Sequence, residues 1–149
     1  MARIEESVEI KRSVDKVFAY TTDAKDWPKW QSAIPEAEQT SPGSVRVGTT
    51  FKGTIRMMGL SMKWTAKATE YESNRKFGKN ITSGPITNEQ HNTYDPIDGG
   101  TRFTIVYDLK VGGLMTLFSP IVVSSMGKGL KKALANLKAI LEAQTQNRT

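Results

Sequence analysis

Cysteine is absent from the sequence, and histidine occurs once, as His91. The first absence excludes disulfides, thiol nucleophiles and cysteine-ligated metals. It suits a reducing compartment, so a cytoplasmic location is expected. A single histidine cannot supply a serine triad or a two-histidine zinc site within one chain. Long apolar runs are missing too. No stretch approaches the ~20 apolar residues of a membrane span. The start, Met1-Ala2-Arg3-Ile4-Glu5-Glu6, has no apolar run behind its basic residue and does not read as a signal peptide. There is no phosphate-binding glycine loop, no dinucleotide fingerprint and no aromatic-plus-basic RNA signature. The expectation is a soluble protein with no cofactor, no metal and no nucleic-acid partner.

The 149 residues fit one domain, 1–149, with a short polar tail over 144–149. The net charge is +6, with a pI near 9.6. Excess positive charge can attract an anionic membrane, so transient membrane contact stays open. The basic residues are scattered, however. The densest group, Lys128, Lys131, Lys132 and Lys138, falls on the last predicted helix and reads as its solvated face.

Ile4, Val8 and Ile10 alternate with polar residues, as in a half-buried strand. Ser13 offers an N-cap to a short helix carrying Val14, Val17 and Phe18. In Asp26-Trp27-Pro28-Lys29-Trp30 the proline disfavours helix at Trp27 and permits a new turn from Pro28. From about Glu36 period-two alternation takes over. Phe51, Gly53, Ile55 and Met57 share one parity, as do Met62, Trp64, Ala66 and Ala68. Phe77 and Ile81 mark a further strand, Gln90, Asn92 and Tyr94 another, and Phe103 to Val111 the clearest. One apolar and one polar face is the pattern of an antiparallel sheet covered on one side. Gly112-Gly113 ends it. Ser119-Pro120 then opens a helix of roughly 25 residues, ~38 Å long, with an apolar stripe from Val122 to Leu141.

This order resembles the helix-grip (SRPBCC) superfamily, which includes START lipid-transfer domains, birch-pollen-allergen-like proteins and polyketide cyclase/dehydrase-like proteins. The resemblance rests on Val8-Glu9-Ile10 leading into Ser13–Phe18, on Asp26–Trp30, on Thr69-Glu70-Tyr71-Glu72 after a strand bearing Trp64, on Thr82–Pro85 and on Tyr94–Arg102. It implies an α+β fold of order β-α-α-β6-α. A curved antiparallel sheet of about seven strands would wrap a long C-terminal helix and enclose an apolar cavity. The cystatin-like cone also curls a sheet around a helix, but its long helix comes first. The helix-grip fold serves several functions and implies no single reaction.

Turns in a meander alternate between two ends. Met58-Gly59, Gly84-Pro85 and Gly112-Gly113 share one end, together with Met57, Leu60, Met62, Leu114, Met115, Leu117, Phe118 and Ile121. That rim is apolar and rich in methionine, which adapts to varied apolar shapes, and is the expected entrance. Gly127 and Gly129 either leave room beside the helix or permit close packing. Inward parity nominates as ligand-binding residues Phe51, Ile55, Met57, Met62, Trp64, Phe77 and Ile81. It adds Gln90, Asn92 and Tyr94, then Phe103, Ile105, Tyr107 and Leu109. The rim and last helix add Met115, Phe118, Val122, Met126 and Leu130. Trp27 and Trp30 are expected to pack the short helices onto the sheet. His91 points outward. Glu70 continues the Met62–Ala68 face, and Lys79, on the neighbouring strand, is placed to pair with it.

The leading expectation is a carrier or sensor for a hydrophobic or amphipathic small molecule, lipid or polyketide-like. An alternative is a cyclase/dehydrase-like enzyme, with Tyr107, Asn92 and Lys79 as candidates for proton transfer. A third is a co-chaperone-like or membrane-surface interaction module.

Overall fold

The computed structural model describes residues 2–146, apart from the side chains of Met115, Thr145 and Gln146. The elements in chain order are β1 (Ala2–Ile10), α1 (Val14–Thr22), a 3-10 turn (Ala24–Asp26), α2 (Trp27–Trp30), β2 (Glu36–Gln39), β3 (Thr50–Met57), β4 (Leu60–Glu72), β5 (Lys76–Ser83), β6 (Ile86–Ile97), β7 (Gly100–Val111), a second 3-10 turn (Gly113–Phe118) and α3 (Ser119–Gln146). The sheet has seven strands in the order β1-β7-β6-β5-β4-β3-β2, every neighbouring pair antiparallel. This is the β-α-α-β6-α helix-grip architecture.

Alternation explains the sheet. Residues of one parity on β3 to β7 and β1 face α3, and those of the other face solvent. Curvature shows in the packing. Met57 of β3, Ile86 of β6 and Leu109 of β7 all join Val122 of α3 in one buried cluster. A flat sheet could not bring β3 and β7 to the same turn of one helix. The 28 residues of α3 extend ~42 Å, and its buried stripe, Leu130, Ala133, Leu134, Leu137 and Leu141, belongs to the main core.

Several local expectations are corrected. Ser13 sits at the N-cap of α1, but its hydroxyl makes no capping bond. Trp27 adopts helical dihedrals (φ −56°, ψ −43°) despite the following proline. Its buried ring and its Nε1–H donating to the Thr21 carbonyl at 2.8 Å hold it there. The last helix starts at Ser119 rather than capping on it, because the 3-10 turn over Gly113–Phe118 leads straight in. Of the tail expected over 144–149, residues 144–146 continue α3, and 147–149 lie outside the described residues.

The largest correction is at the Glu70–Lys79 pair. A β-bulge between Ala68 and Glu70 shifts the register against β5. One extra residue reverses side-chain parity. Tyr71 therefore takes the inward position, packing against the core. Glu70 turns outward, where its Oε1 lies 2.7 Å from His91 Nδ1. Gly78 stands opposite His91 in the ladder, and a Cβ there would approach Glu70 Oε1 to 2.8 Å. His91 faces outward, as its parity predicts, and Lys79 is left inside without the carboxylate.

Candidate functional site: a chamber between the sheet and the last helix

The ladder registers sort the inner face into layers. At the end closed by α1, Phe18 meets Tyr71 and Tyr94 edge-on, and Tyr94 stacks with Phe103. The Tyr94 hydroxyl lies 2.6 Å from Thr21 Oγ1, and burial holds its phenol protonated well above the ordinary range. One layer on, Phe77, Asn92 and Ile105 stand in register. The next layer runs Ala68–Lys79–Gln90–Tyr107–Ile4 across five strands. Beyond it come Ala66, Ile81, Asn88 and Leu109. The far end is plugged by Met57, Ile86, Leu109 and Val122.

Between the aromatic end and the plug lies a chamber of about 70 Å³, lined by Trp27, Gln31, Ile34, Ile55, Met57, Trp64, Lys79, Ile81, Ser83, Ile86, Asn88, Gln90, Tyr107 and Met126. A neighbouring space of about 80 Å³ shares six of these residues, Gln31, Ile34, Ile55, Met57, Tyr107 and Met126. It reaches the surface beside Ser32, Arg56 and Gly129, all exposed. A Cβ at Gly129 would meet nothing within 4 Å, whereas one at Gly127 would touch Ile4. Gly129 thus leaves room, and Gly127 sits at ordinary contact distance. The opening is lateral, between the 31–34 loop and α3. Of the apolar rim expected to be the entrance, Met57 alone among the described residues lines these spaces.

The chamber is mostly apolar, with a few polar groups. Lys79 is 6% exposed. Its Nζ sits 3.6 Å from the centroid of the Trp27 ring, a cation–π arrangement. Burial alone pulls its pKa from 10.5 down to about 7. Gln90 Nε2–H donates to Asn92 Oδ1 at 2.9 Å. Asn88 Oδ1 is buried with no hydrogen-bond partner. Burial raises the Tyr107 phenol to about 12. Among the lining residues there is no carboxylate and no imidazole.

Of the residues nominated from sequence, Ile55, Met57, Trp64, Ile81, Gln90, Tyr107 and Met126 line the chamber, and Leu130 borders the second space. Phe51, Phe77, Tyr94, Phe103 and Ile105 face inward but interlock as solid core. Leu109, Val122 and Met62 belong to the plug. Phe118 is largely exposed, and the side chain of Met115 lies outside the described residues. Of the candidates for proton transfer, Lys79 and Tyr107 reach the chamber, while Asn92 is buried one layer away. Parity alone cannot separate core from cavity wall, because both point inward. Continuing the β6 parity back from Gln90 would have found Asn88 and Ile86, and continuing that of β5 beyond Ile81 would have found Ser83. Trp27, Gln31 and Ile34 come from a non-periodic segment and carry no such signal. Trp30 packs edge-on against Phe103, as expected, whereas Trp27 is both packing and chamber wall.

No curated protein matches the chain. Solved structures do. A Thermus thermophilus protein superposes with a TM-score of 0.83 at 15% identity, over 96% of this chain and 99% of that one. The Zhui aromatase/cyclase of a Streptomyces species gives 0.85 at 11% identity, over 97% and 95%. A START superfamily protein of Mycobacterium smegmatis gives 0.81 at 15%, over 95% and 98%. At these identities the likeness shows the shared fold. The model of one sequence family, described as polyketide cyclase / dehydrase and lipid transport, matches residues 1–142. With nearly its whole length matched, the chain belongs to the polyketide cyclase / dehydrase and lipid transport family.

Proposed function

We propose that the protein binds a small hydrophobic or amphipathic molecule in the chamber between the sheet and α3. The observation that carries this reading is an apolar chamber in which Asn88 Oδ1 is buried without a partner. Buried polar atoms are ordinarily satisfied, and sparse polar groups in an apolar pocket orient a ligand. Volume narrows the reading. At roughly 10–15 Å³ per water-sized site, spaces of about 70 and 80 Å³ together hold on the order of ten non-hydrogen atoms. A ring or short chain fits as the walls stand, and a two-chain lipid does not. Native mass spectrometry of freshly purified protein, followed by titration with short-chain and aromatic compounds, tests the reading. Copurified or titrated ligand is the expected result. A protein that is empty and also binds none of the panel would overturn it.

A second reading concerns the rim. Leu114 is 87% exposed and Leu117 82%, and Met58, Leu60, Phe118 and Ile121 at the same end are also exposed. Single exposed apolar residues are ordinary, but a patch of them marks an interaction surface. The chain segments that carry it hold no acidic residue. No acidic residue occurs between Asp108 and Glu142, or between Glu38 and Glu70, while Arg56, Lys63, Lys110 and Lys128 lie in those segments. Apolar side chains with basic residues in the flanking chain suit the surface of an anionic bilayer. No helix among the described residues is long and apolar enough to cross a membrane. Such contact would be peripheral.

A further inference from the structure

Lys79 is the one charged group in the chamber wall, and among the described residues it has no counterion. The elements packed around it present Trp27 from α2, Trp64 and Ala68 from β4, Gln90 from β6, Tyr107 from β7 and Met126 from α3. None of these carries a negative charge near neutral pH, since the only titratable one, Tyr107, is held at about 12. The nearest charged carboxylate by sequence parity, Glu70, has been turned to the outer face by the bulge. Among the described residues no side chain accepts a hydrogen bond from the amine, and the Trp27 ring is its main partner. A lysine buried alone is costly. Methionine or leucine would fill the same place without that cost. Lys79, moreover, lines free space.

Resting on the reading of the chamber as a binding site, we infer that the ligand is a small amphipathic acid whose carboxylate pairs with Lys79 while its apolar part lies against Ile55, Met57, Ile81 and Met126. The carboxylate supplies the counterion that the fold omits. Gln90 and Tyr107 follow Lys79 in the same layer, one and two strands away, and can donate to the second carboxylate oxygen. Pairing favours the charged amine. An acid that binds slightly above pH 7, where much of Lys79 is neutral in the empty protein, therefore takes up a proton as it binds.

The test compares octanoate with 1-octanol, and phenylacetate with 2-phenylethanol, by calorimetric titration of the wild-type protein and Lys79→Met. Each acid should bind the wild type at least about tenfold more tightly than its alcohol, the scale of one charge-assisted hydrogen bond. In Lys79→Met that preference should vanish. Repeating the wild-type titration in buffers of different ionisation enthalpy should reveal net proton uptake with octanoate and none with octanol. This last readout needs no variant and is indifferent to how Lys79→Met folds. Acids and alcohols binding the wild type equally would overturn the assignment of the ligand class while leaving the chamber a binding site. A preference that persists in Lys79→Met would place the acid-reading group elsewhere and overturn the pairing. If neither acids nor alcohols bind, this inference and the binding reading fall together.

Discussion

Lys79 shows how one side chain can be at odds with the fold that holds it. Above pH 10.5 its amine is neutral in both folded and unfolded chains, and burial costs little. As pH falls from there, the unfolded chain takes the proton first, because the folded pKa is about 7. Stability drops across that window, and the loss is complete below pH 7. The displacement sets a ceiling of about 5 kcal/mol. Lys79→Met should therefore stabilise the protein by about 2 kcal/mol near neutral pH, with the gain shrinking as pH approaches 10.5. Urea unfolding of both proteins across that range measures it, and a pH-independent difference would refute the account. Met58 carries a second local tension. It heads the two-residue β3–β4 turn with φ +52°, followed by Gly59 at +78°. A left-handed backbone costs a side-chain-bearing residue about 1 kcal/mol or more, and asparagine tolerates it best. Met58→Asn should raise stability by about 1 kcal/mol in thermal melts. An unchanged or lower melting temperature would mean that the methionine packs better than its exposure suggests.

At the scale of elements, two glycines have opposite meanings. Gly53 of β3 lies beneath Trp64. A Cβ there would run into the Glu36 carbonyl and come within 2.7 Å of the Trp64 ring, whose Nε1–H donates to the Thr54 carbonyl at 3.0 Å. Gly53→Ala should cost about 3 kcal/mol through overpacking, seen as a fall in the urea midpoint. Gly129 of α3 has no such neighbour. Gly129→Ala should stabilise by about 1 kcal/mol through helix propensity alone, read by the same unfolding experiment. A loss would show that the space beside α3 is needed by the native fold. The bulge in β4 is the other element-scale device. It exchanges Glu70 for Tyr71 on the inner face, completing the aromatic end and leaving Lys79 alone.

The whole molecule is polarised along its long axis. One end is packed with aromatic rings under α1, and the other carries an exposed apolar rim closed from within by Met57, Ile86, Leu109 and Val122. The double substitution Leu114→Ser with Leu117→Ser should leave stability within about 0.5 kcal/mol, as expected for exposed sites. It should also abolish sedimentation with vesicles of mixed phosphatidylserine and phosphatidylcholine, whose binding to the wild type should weaken with salt. Failure of the wild type to bind such vesicles at low salt would remove the membrane reading. The chamber opens sideways, so a ligand need not pass the rim. Binding of small molecules and docking of the rim are separable by these variants.

The succession of strands and helices, the long last helix, the inward parity of the strands up to the bulge in β4 and the apolar end were legible in the sequence, because each depends on a period of two or 3.6 residues and on turn chemistry that neighbouring residues specify. His91 was legible as an outward residue for the same reason. Tertiary structure alone decided which inward residues touch one another and which border empty space. That depends on how far the sheet curls, and no local pattern encodes it. Phe77 and Ile81 share a strand and a parity, yet one is solid core and the other chamber wall. The bulge at Ala68/Glu70 was equally invisible, since its sign is a register with β5 rather than a residue type. Through it the structure decided that Lys79 would face the chamber with the indole of Trp27, and no carboxylate, as its main partner.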